Sequence, residues 1–341
     1  MLITTADDSI ETLAGDITDC PPSSPTHPKP PTLKVTGKRH YQQTDVDYDP
    51  ASKTLWTVMK PMGVPCCNQN MVEEFHHSFQ QLQASHGEVL HEEEWHPVHF
   101  SVVASRHPTV FNLGGDLALF LTLIRSRDRD ALDHYAQLCV NTIFMRATNF
   151  NAPLVTISLV QGDAMGGGFE FALSSDVIIA EQGARMGLPE VMFNLFPGMG
   201  AYSLLARRVG ARMAEEMMMS GNIYQAEDLH RMGVVDVLAP RGEGEKAVDE
   251  YIRKRGRRFN AIRSIYQCRQ YVNPVSREEL MNIANLWVDA VLRLDDADMH
   301  IISHLLRSQR SEQEKRINAG KGFRPRFVSR EAKLDKPALR M

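Results

Sequence analysis

Gly162-Asp163-Ala164-Met165-Gly166-Gly167-Gly168-Phe169-Glu170 decides how this chain is read. The apolar run Leu154-Val155-Thr156-Ile157-Ser158-Leu159-Val160 before it reads as a buried strand, and Phe169-Glu170-Phe171-Ala172-Leu173 opens a helix. A glycine turn between strand and helix brings bare backbone N–H groups to the positive end of the helix, where they can hold a developing negative charge. Glycines alone often mark a tight turn with no chemistry. Here two carboxylates accompany the turn, Glu170 at its end and Glu190 in Gly187-Leu188-Pro189-Glu190. Donors between two acids point to an enzyme that stabilises an enolate-like oxyanion and moves protons on either side of it.

A second glycine turn, Asn112-Leu113-Gly114-Gly115-Asp116-Leu117, also lies between a strand and a long helical stretch, predicted over 117–147. Gly115 is the candidate second donor beside Gly167; the competing reading is two ordinary strand-to-helix turns. Around them the pattern alternates. Residues 54–59, 99–104 and 177–180 read as strands, and 71–85 and 168–174 as helices, so the repeat is βαβ and the class α/β. After Pro197 helices are expected over 200–208, 211–219, 225–231, 245–255 and 276–306, the last with a break near Asp295-Asp296. No repeat of fixed period is apparent.

The chain has 341 residues, 43% hydrophobic and 23% charged, the composition of a soluble globular protein with room for a large core. Four regions are expected: a Pro-rich tail over 1–35, a core over 36–265, a helical region over 266–307 and a basic tail over 308–341, with ten Lys/Arg against four Asp/Glu. That tail is either solvated or a docking element. A net charge of −4 argues against general nucleic-acid binding. No apolar run approaches the roughly 18 residues of a membrane span. The first 20 residues carry five acidic groups and no Lys or Arg, unlike a secretory signal, so a cytoplasmic location is expected. Five cysteines without CxxC spacing, Cys66 and Cys67 adjacent, read as reduced thiols, with neither a disulfide framework nor zinc.

With Ser175-Asp176-Val177-Ile178-Ile179-Ala180 and Phe196-Pro197-Gly198-Met199-Gly200 added to these motifs, the sequence resembles the crotonase (enoyl-CoA hydratase/isomerase) superfamily over approximately residues 50–270. The resemblance implies a spiral of ββα units, a trimer or hexamer built through a C-terminal helical trimerisation region, and an acyl thioester held by backbone N–H groups, with no cofactor and no metal. On matching positions the donors are Gly115 and Gly167, and Glu170 and Glu190 fall where hydratases carry their catalytic carboxylates. Adding or removing water across a double bond needs proton transfer at both C2 and C3, so two acids favour hydration or dehydration over isomerisation. By analogy Glu190 serves C2 and Glu170 the oxygen; the residues alone do not fix this.

A nearer likeness is to bacterial diffusible signal factor synthases of the RpfF type, carried by Phe111-Asn112-Leu113-Gly114-Gly115-Asp116-Leu117-Ala118-Leu119-Phe120, Glu215-Glu216-Met217-Met218-Met219-Ser220-Gly221 and Asn285-Leu286-Trp287-Val288. It implies a dehydratase and thioesterase in one site that turns a 3-hydroxyacyl-[acyl carrier protein] into a free cis-2-unsaturated fatty acid, a quorum-sensing signal, with binding to a sensor histidine kinase as a side role. The alternatives are an enoyl-CoA hydratase of fatty-acid degradation, acting on CoA thioesters, and a protein acting chiefly as a regulator of such a kinase. Candidate substrate-contacting residues are Gly114, Leu117, Leu188 and Trp287; each apolar one also reads as a residue packed in the core or between subunits. The basic run Arg253-Lys254-Arg255-Gly256-Arg257-Arg258 suits either a solvated helix face or a contact with the phosphopantetheine phosphate or an acidic carrier protein. His91, His96 and His99 match no metal-site spacing, and no G-x-S-x-G elbow surrounds Ser174-Ser175-Asp176.

Overall fold

The computed structural model describes residues 41–319. The Pro-rich segment expected over 1–35, and the part of the basic segment beyond 319, lie outside the described residues.

The chain opens with β1 (Thr44–Asp49) and β2 (Thr54–Met59), an antiparallel pair, followed by α1 (Gln69–Ala84) and a hairpin of β3 (Glu88–His91) and β4 (Glu94–Pro97). A repeated unit of two strands and a helix then appears. The first is β5 (Phe100–Ser105), β6 (Val110–Asn112), then α2 (Leu117–Ser126) and α3 (Arg129–Ala147). The second is β7 (Val155–Val160), β8 (Asp163–Met165) and α4 (Gly167–Leu173). The third is β9 (Val177–Glu181), β10 (Arg185–Gly187), a 3-10 turn over Pro189–Phe193, and α5 (Ala201–Val209). In each unit the first strand joins one sheet and the second another. The larger sheet runs β1-β2-β5-β7-β9-β12 and the smaller β11-β10-β8-β6, which is the ββα spiral. Its remaining parts are α6 (Ala211–Ser220), β11 (Ile223–Gln225), α7 (Ala226–Arg231), β12 (Val237–Ala239), α8 (Gly244–Gly256), α9 (Phe259–Val272), α10 (Arg277–Val291) and α11 (Asp296–Ala319).

The long strands follow from their side chains. β5, β7 and β9 are buried along their whole length, as their near-continuous Val, Ile and Leu runs require of parallel strands covered on both faces. One apolar cluster, including Trp56, Phe100 and Ile157, fills the face toward α8, and a larger one fills the side toward α1, α3 and α10. Among the described residues no helix is long and apolar enough to cross a membrane.

Three local expectations change. The single helix over 117–147 is two: Arg127 turns left-handed at φ 52° to end α2, and the Asp128 side chain accepts the Ala131 N–H to cap α3. The helix α9 was not anticipated. The last helix continues to Ala319 and so runs across the boundary expected at 308.

The two glycine turns end on neighbouring strands, β6 and β8, which pair in parallel, and so they meet. A Cβ at Gly168 would collide with the Asn112 carbonyl oxygen and lie 2.7 Å from the Asn112 carbonyl carbon and 2.9 Å from its Cβ. Neither contact can relax by rotating a side chain end. Gly168→Ala is therefore expected to destabilise the fold by about 2–4 kcal/mol, read as a lower urea midpoint at unchanged slope; an unaltered midpoint would show that the turns separate freely.

Candidate active site

Each functional group sits where a short strand of the smaller sheet hands over to a helix. After β6, Gly114 adopts φ +87°, which favours glycine, and Asp116 caps α2 by accepting the Ala118 and Leu119 N–H groups at 3.0 and 3.1 Å. After β8, Gly166 at φ +50° turns the chain into α4, whose first residue is Gly167. A Cβ at Gly114 would lie 2.6 Å from Met165 O and 2.9 Å from Gly167 N; one at Gly167 would lie 3.6 Å from Gly115 N. The two candidate donors are thus brought together. Within the described residues no backbone acceptor takes up the Gly115 or Gly167 N–H, and both residues line one cavity of about 810 Å³.

Glu170 and Glu190 line the same cavity. Glu170 stands on the first turn of α4, and its Oε1 accepts the Met199 N–H at 2.8 Å and the Ala201 N–H at 2.9 Å. Glu190 opens the 3-10 turn after β10. A side chain at Gly166 would strike its carboxylate, so the glycine that shapes the turn also admits this acid. Glu190 as a whole is part-exposed, yet its Oε2 is shut away from solvent and accepts no hydrogen bond. Burial raises both carboxyls above the ordinary range; backbone donors offset this in part for Glu170, while for Glu190 the neighbouring Glu170 charge adds to it and its own backbone N–H offsets it in part. Both shifts run upward, so the pair favours sharing a proton near neutral pH.

Of the candidate substrate-contacting residues, Leu117 and Trp287 stand in the cavity wall. Leu188 is 1% exposed and lies in the core away from that wall, and Gly114 lies behind it, contributing its close approach to the other turn. The wall also contains Phe120, the end of the Phe111–Phe120 motif, and Tyr135, Cys139 and, from α11, Ile301 and Leu305, which the motifs do not single out. Trp287 is seated by Gly198, where any Cβ would overlap the indole, and its ring meets Phe120 edge-on at 5.2 Å. Met199 and Ala201, which hold Glu170, follow that same Pro-Gly segment; the glycines were the available signal.

Other sequence features fall elsewhere. His91 and His96 face each other and Tyr48 in the β3–β4 region, while His99 stacks on Phe259 at 3.9 Å. Asp176 is a buried structural acceptor: it takes the Thr156 N–H at 3.0 Å and pairs with Arg269 at 2.6 Å. Lys254, Arg255 and Arg258 border a separate groove beside Tyr251 and Tyr266.

The sequence matches the enoyl-CoA hydratase/isomerase family over residues 57–283. The chain belongs to that family. Among curated proteins it is similar to mevalonyl-coenzyme A hydratase SIDH of Beauveria bassiana, 43% identical over 100 residues that cover 29% of this chain and 35% of that protein. It is likewise similar to the fatty acid oxidation complex subunit alpha of Pseudomonas savastanoi pv. phaseolicola, 34% identical over 149 residues, 43% of this chain and 20% of that one. The matched segments therefore span about a third or less of those relatives. Solved structures share the crotonase fold. Human mitochondrial delta3-delta2-enoyl-CoA isomerase is 17% identical with a TM-score of 0.65, covering 80% of this chain and 99% of that one. A putative enoyl-CoA hydratase from Streptomyces avermitilis is 21% identical at 0.62, covering 82% and 97%. DspI of Pseudomonas aeruginosa is 22% identical at 0.56, covering 78% and 95%.

Raised carboxyls make a stability prediction with a definite sign. Between their ordinary value of 4.5 and the higher folded-state values, the folded protein binds more protons than the unfolded chain, so wild-type stability falls as pH rises through that window. Glu170→Gln/Glu190→Gln has no such charge to bury. It is expected to match wild type near about pH 5 and to exceed it by roughly 2 kcal/mol near about pH 8.5 in urea unfolding. Parallel pH profiles for the two proteins would mean that both acids ionise normally.

Proposed function

We propose that this protein is an acyl-thioester dehydratase that also hydrolyses the thioester, converting a 3-hydroxyacyl-[acyl carrier protein] to a free 2-unsaturated fatty acid of the diffusible signal factor type. The observation that carries this reading is the pair of raised carboxyls lining one cavity with the two closely approaching glycine turns. With the thioester oxygen between the Gly115 and Gly167 N–H groups, charge developing on it as an enolate is held by donors already in place. Glu190 takes the C2 proton and Glu170 gives a proton to the departing 3-hydroxyl, which leaves as water. Dehydration thus starts from Glu170 protonated and Glu190 ionised. Hydration uses the reverse arrangement, and a proton shared between two raised acids serves both directions.

Hydrolysis uses the same donors. A water activated by either ionised carboxylate attacks the thioester carbon, the tetrahedral oxygen occupies the Gly115–Gly167 position, and the carrier thiol leaves with a proton. The apolar wall around Leu117, Phe120 and Trp287 suits an acyl chain, and the likeness to signal factor synthases supports a carrier-protein thioester as donor. Assembly as a trimer or hexamer is supported by α9, which fully buries none of its side chains within the chain and exposes Ile265, Tyr271 and Val272.

A second reading, a reversible enoyl-CoA hydratase, is favoured by the family match and the named hydratase relatives. Mass spectrometry after incubation with 3-hydroxyacyl-[acyl carrier protein] separates the two. Free unsaturated acid is expected from wild type, and about 10²–10⁴-fold less from Glu170→Ala or Glu190→Ala. Hydration of a trans-2-enoyl-CoA with no free acid released would establish the second reading instead.

A further inference from the structure

The N–H of Gly115 is supported in a way that the N–H of Gly167 is not. Gly167 begins a helix behind a strand paired on both sides, whereas β6, which leads to Gly115, is the edge of the smaller sheet. Beyond β6 the sheet continues only as an isolated parallel bridge, Cys67 to Gly115. In the first turn of the spiral this segment stands where the later turns have a full strand.

Two backbone hydrogen bonds tie the segment to the turn: Leu113 N–H donates to Pro65 O at 2.7 Å and Cys67 N–H donates to Gly114 O at 2.7 Å. The second fixes the peptide that carries the Gly115 N–H. In a planar trans peptide the C=O and N–H point in opposite directions, so anchoring the Gly114 carbonyl on the Cys67 side aims the Gly115 N–H the other way and polarises it. Asn112 Oδ1 braces the same turn, accepting the Gly114 N–H at 2.8 Å and the Cys67 thiol at 3.3 Å. The bridge lies just before Asn68, the cap of α1, and its carbonyl is tied from α3, where the Tyr135 hydroxyl donates to Cys67 O at 2.5 Å. Tyr135 is 3% exposed, its ring meets Phe120 edge-on at 5.5 Å, and it lines the cavity. Burial keeps the phenol protonated and so available as a donor.

We propose that Tyr135 is a positioning residue for the oxyanion hole: its hydroxyl fixes Cys67, Cys67 fixes the Gly114–Gly115 peptide, and that peptide presents the Gly115 N–H to the thioester oxygen. The inference rests on the proposed role of Gly115 and Gly167 as the donors. In this role the loss of the Tyr135 hydroxyl acts through the donor it aligns.

Tyr135→Phe removes one oxygen and keeps the ring. The expected result is a kcat for enoyl-CoA hydration or for dehydration lower by about 10- to 100-fold, with KM within about threefold, because a donor displaced by a fraction of an ångström weakens the transition state more than the ground state. Difference infrared spectroscopy of a bound 2-enoyl-CoA gives the second readout. The thioester C=O band, shifted down by the donors in wild type, should move back toward its solution position in Tyr135→Phe, at a similar thermal midpoint. A purely structural role would lower the midpoint and leave the band and the kcat per folded site unchanged, and that outcome overturns the proposal. If wild type itself shows no shifted band, the oxyanion reading fails and this inference falls with it.

Discussion

Two glycine turns approach until no side chain fits between them, and the rest of the site depends on that approach. With a Cβ at Gly114 only 2.6 Å from Met165 O, both positions must stay bare, and the two N–H groups can share one small volume. The approach is enforced by parallel pairing of β6 and β8, with Val110 opposite Asp163 and Asn112 opposite Ala164. Those strands are only three residues long, too short to define a sheet alone. They are held because each follows directly from a long buried strand of the larger sheet, β5 or β7, whose own register is fixed by full burial. The hydrophobic core therefore sets the distance between two hydrogen-bond donors that belong to neither core cluster.

What was legible in the sequence follows from this hierarchy. β2, β5, β7 and β9 announce themselves through runs of β-branched and aromatic residues, and the glycine turns with their acids stand in short contiguous motifs. The smaller sheet was not legible, because a three-residue strand has no period to detect; β8 and β10 read simply as part of the turns they precede. The helix α9 escaped for a different reason. None of its side chains is fully buried: Phe259, Ile262 and Tyr266 pack partly against the core beside the polar ties from Arg269 to Asp176 and Gln270 to the Ala147 carbonyl, so its apolar pattern is short and interrupted. The break between α2 and α3 did carry a signal, the capping residue Asp128, which the apolar content on either side outweighed.

At the site the same division holds. The proposed acids and donors lie in local motifs, and the structure places them on one cavity. What adjusts them comes from afar: Met199 and Ala201, about thirty positions beyond Glu170 in the chain, supply its N–H donors, and Tyr135 reaches Cys67 across 68 positions. Spacing along a sequence carries no information about such contacts. Leu188 shows the opposite error. It lies within the Gly187–Glu190 motif and so reads as a substrate contact, but the turn that presents Glu190 to the cavity packs Leu188 into the core.

The two acids are chemically alike, and their surroundings make them different. Burial opposes ionisation of both, which costs stability at neutral pH, but Glu170 is met by two backbone N–H groups while Glu190 Oε2 is met by none. Their shared burial and mutual repulsion favour one proton between them. The N–H groups that support Glu170 sit on the Gly198–Ala201 segment, the stretch that also seats Trp287 in the cavity wall. The same short segment therefore joins the apolar wall of the cavity to the support of Glu170.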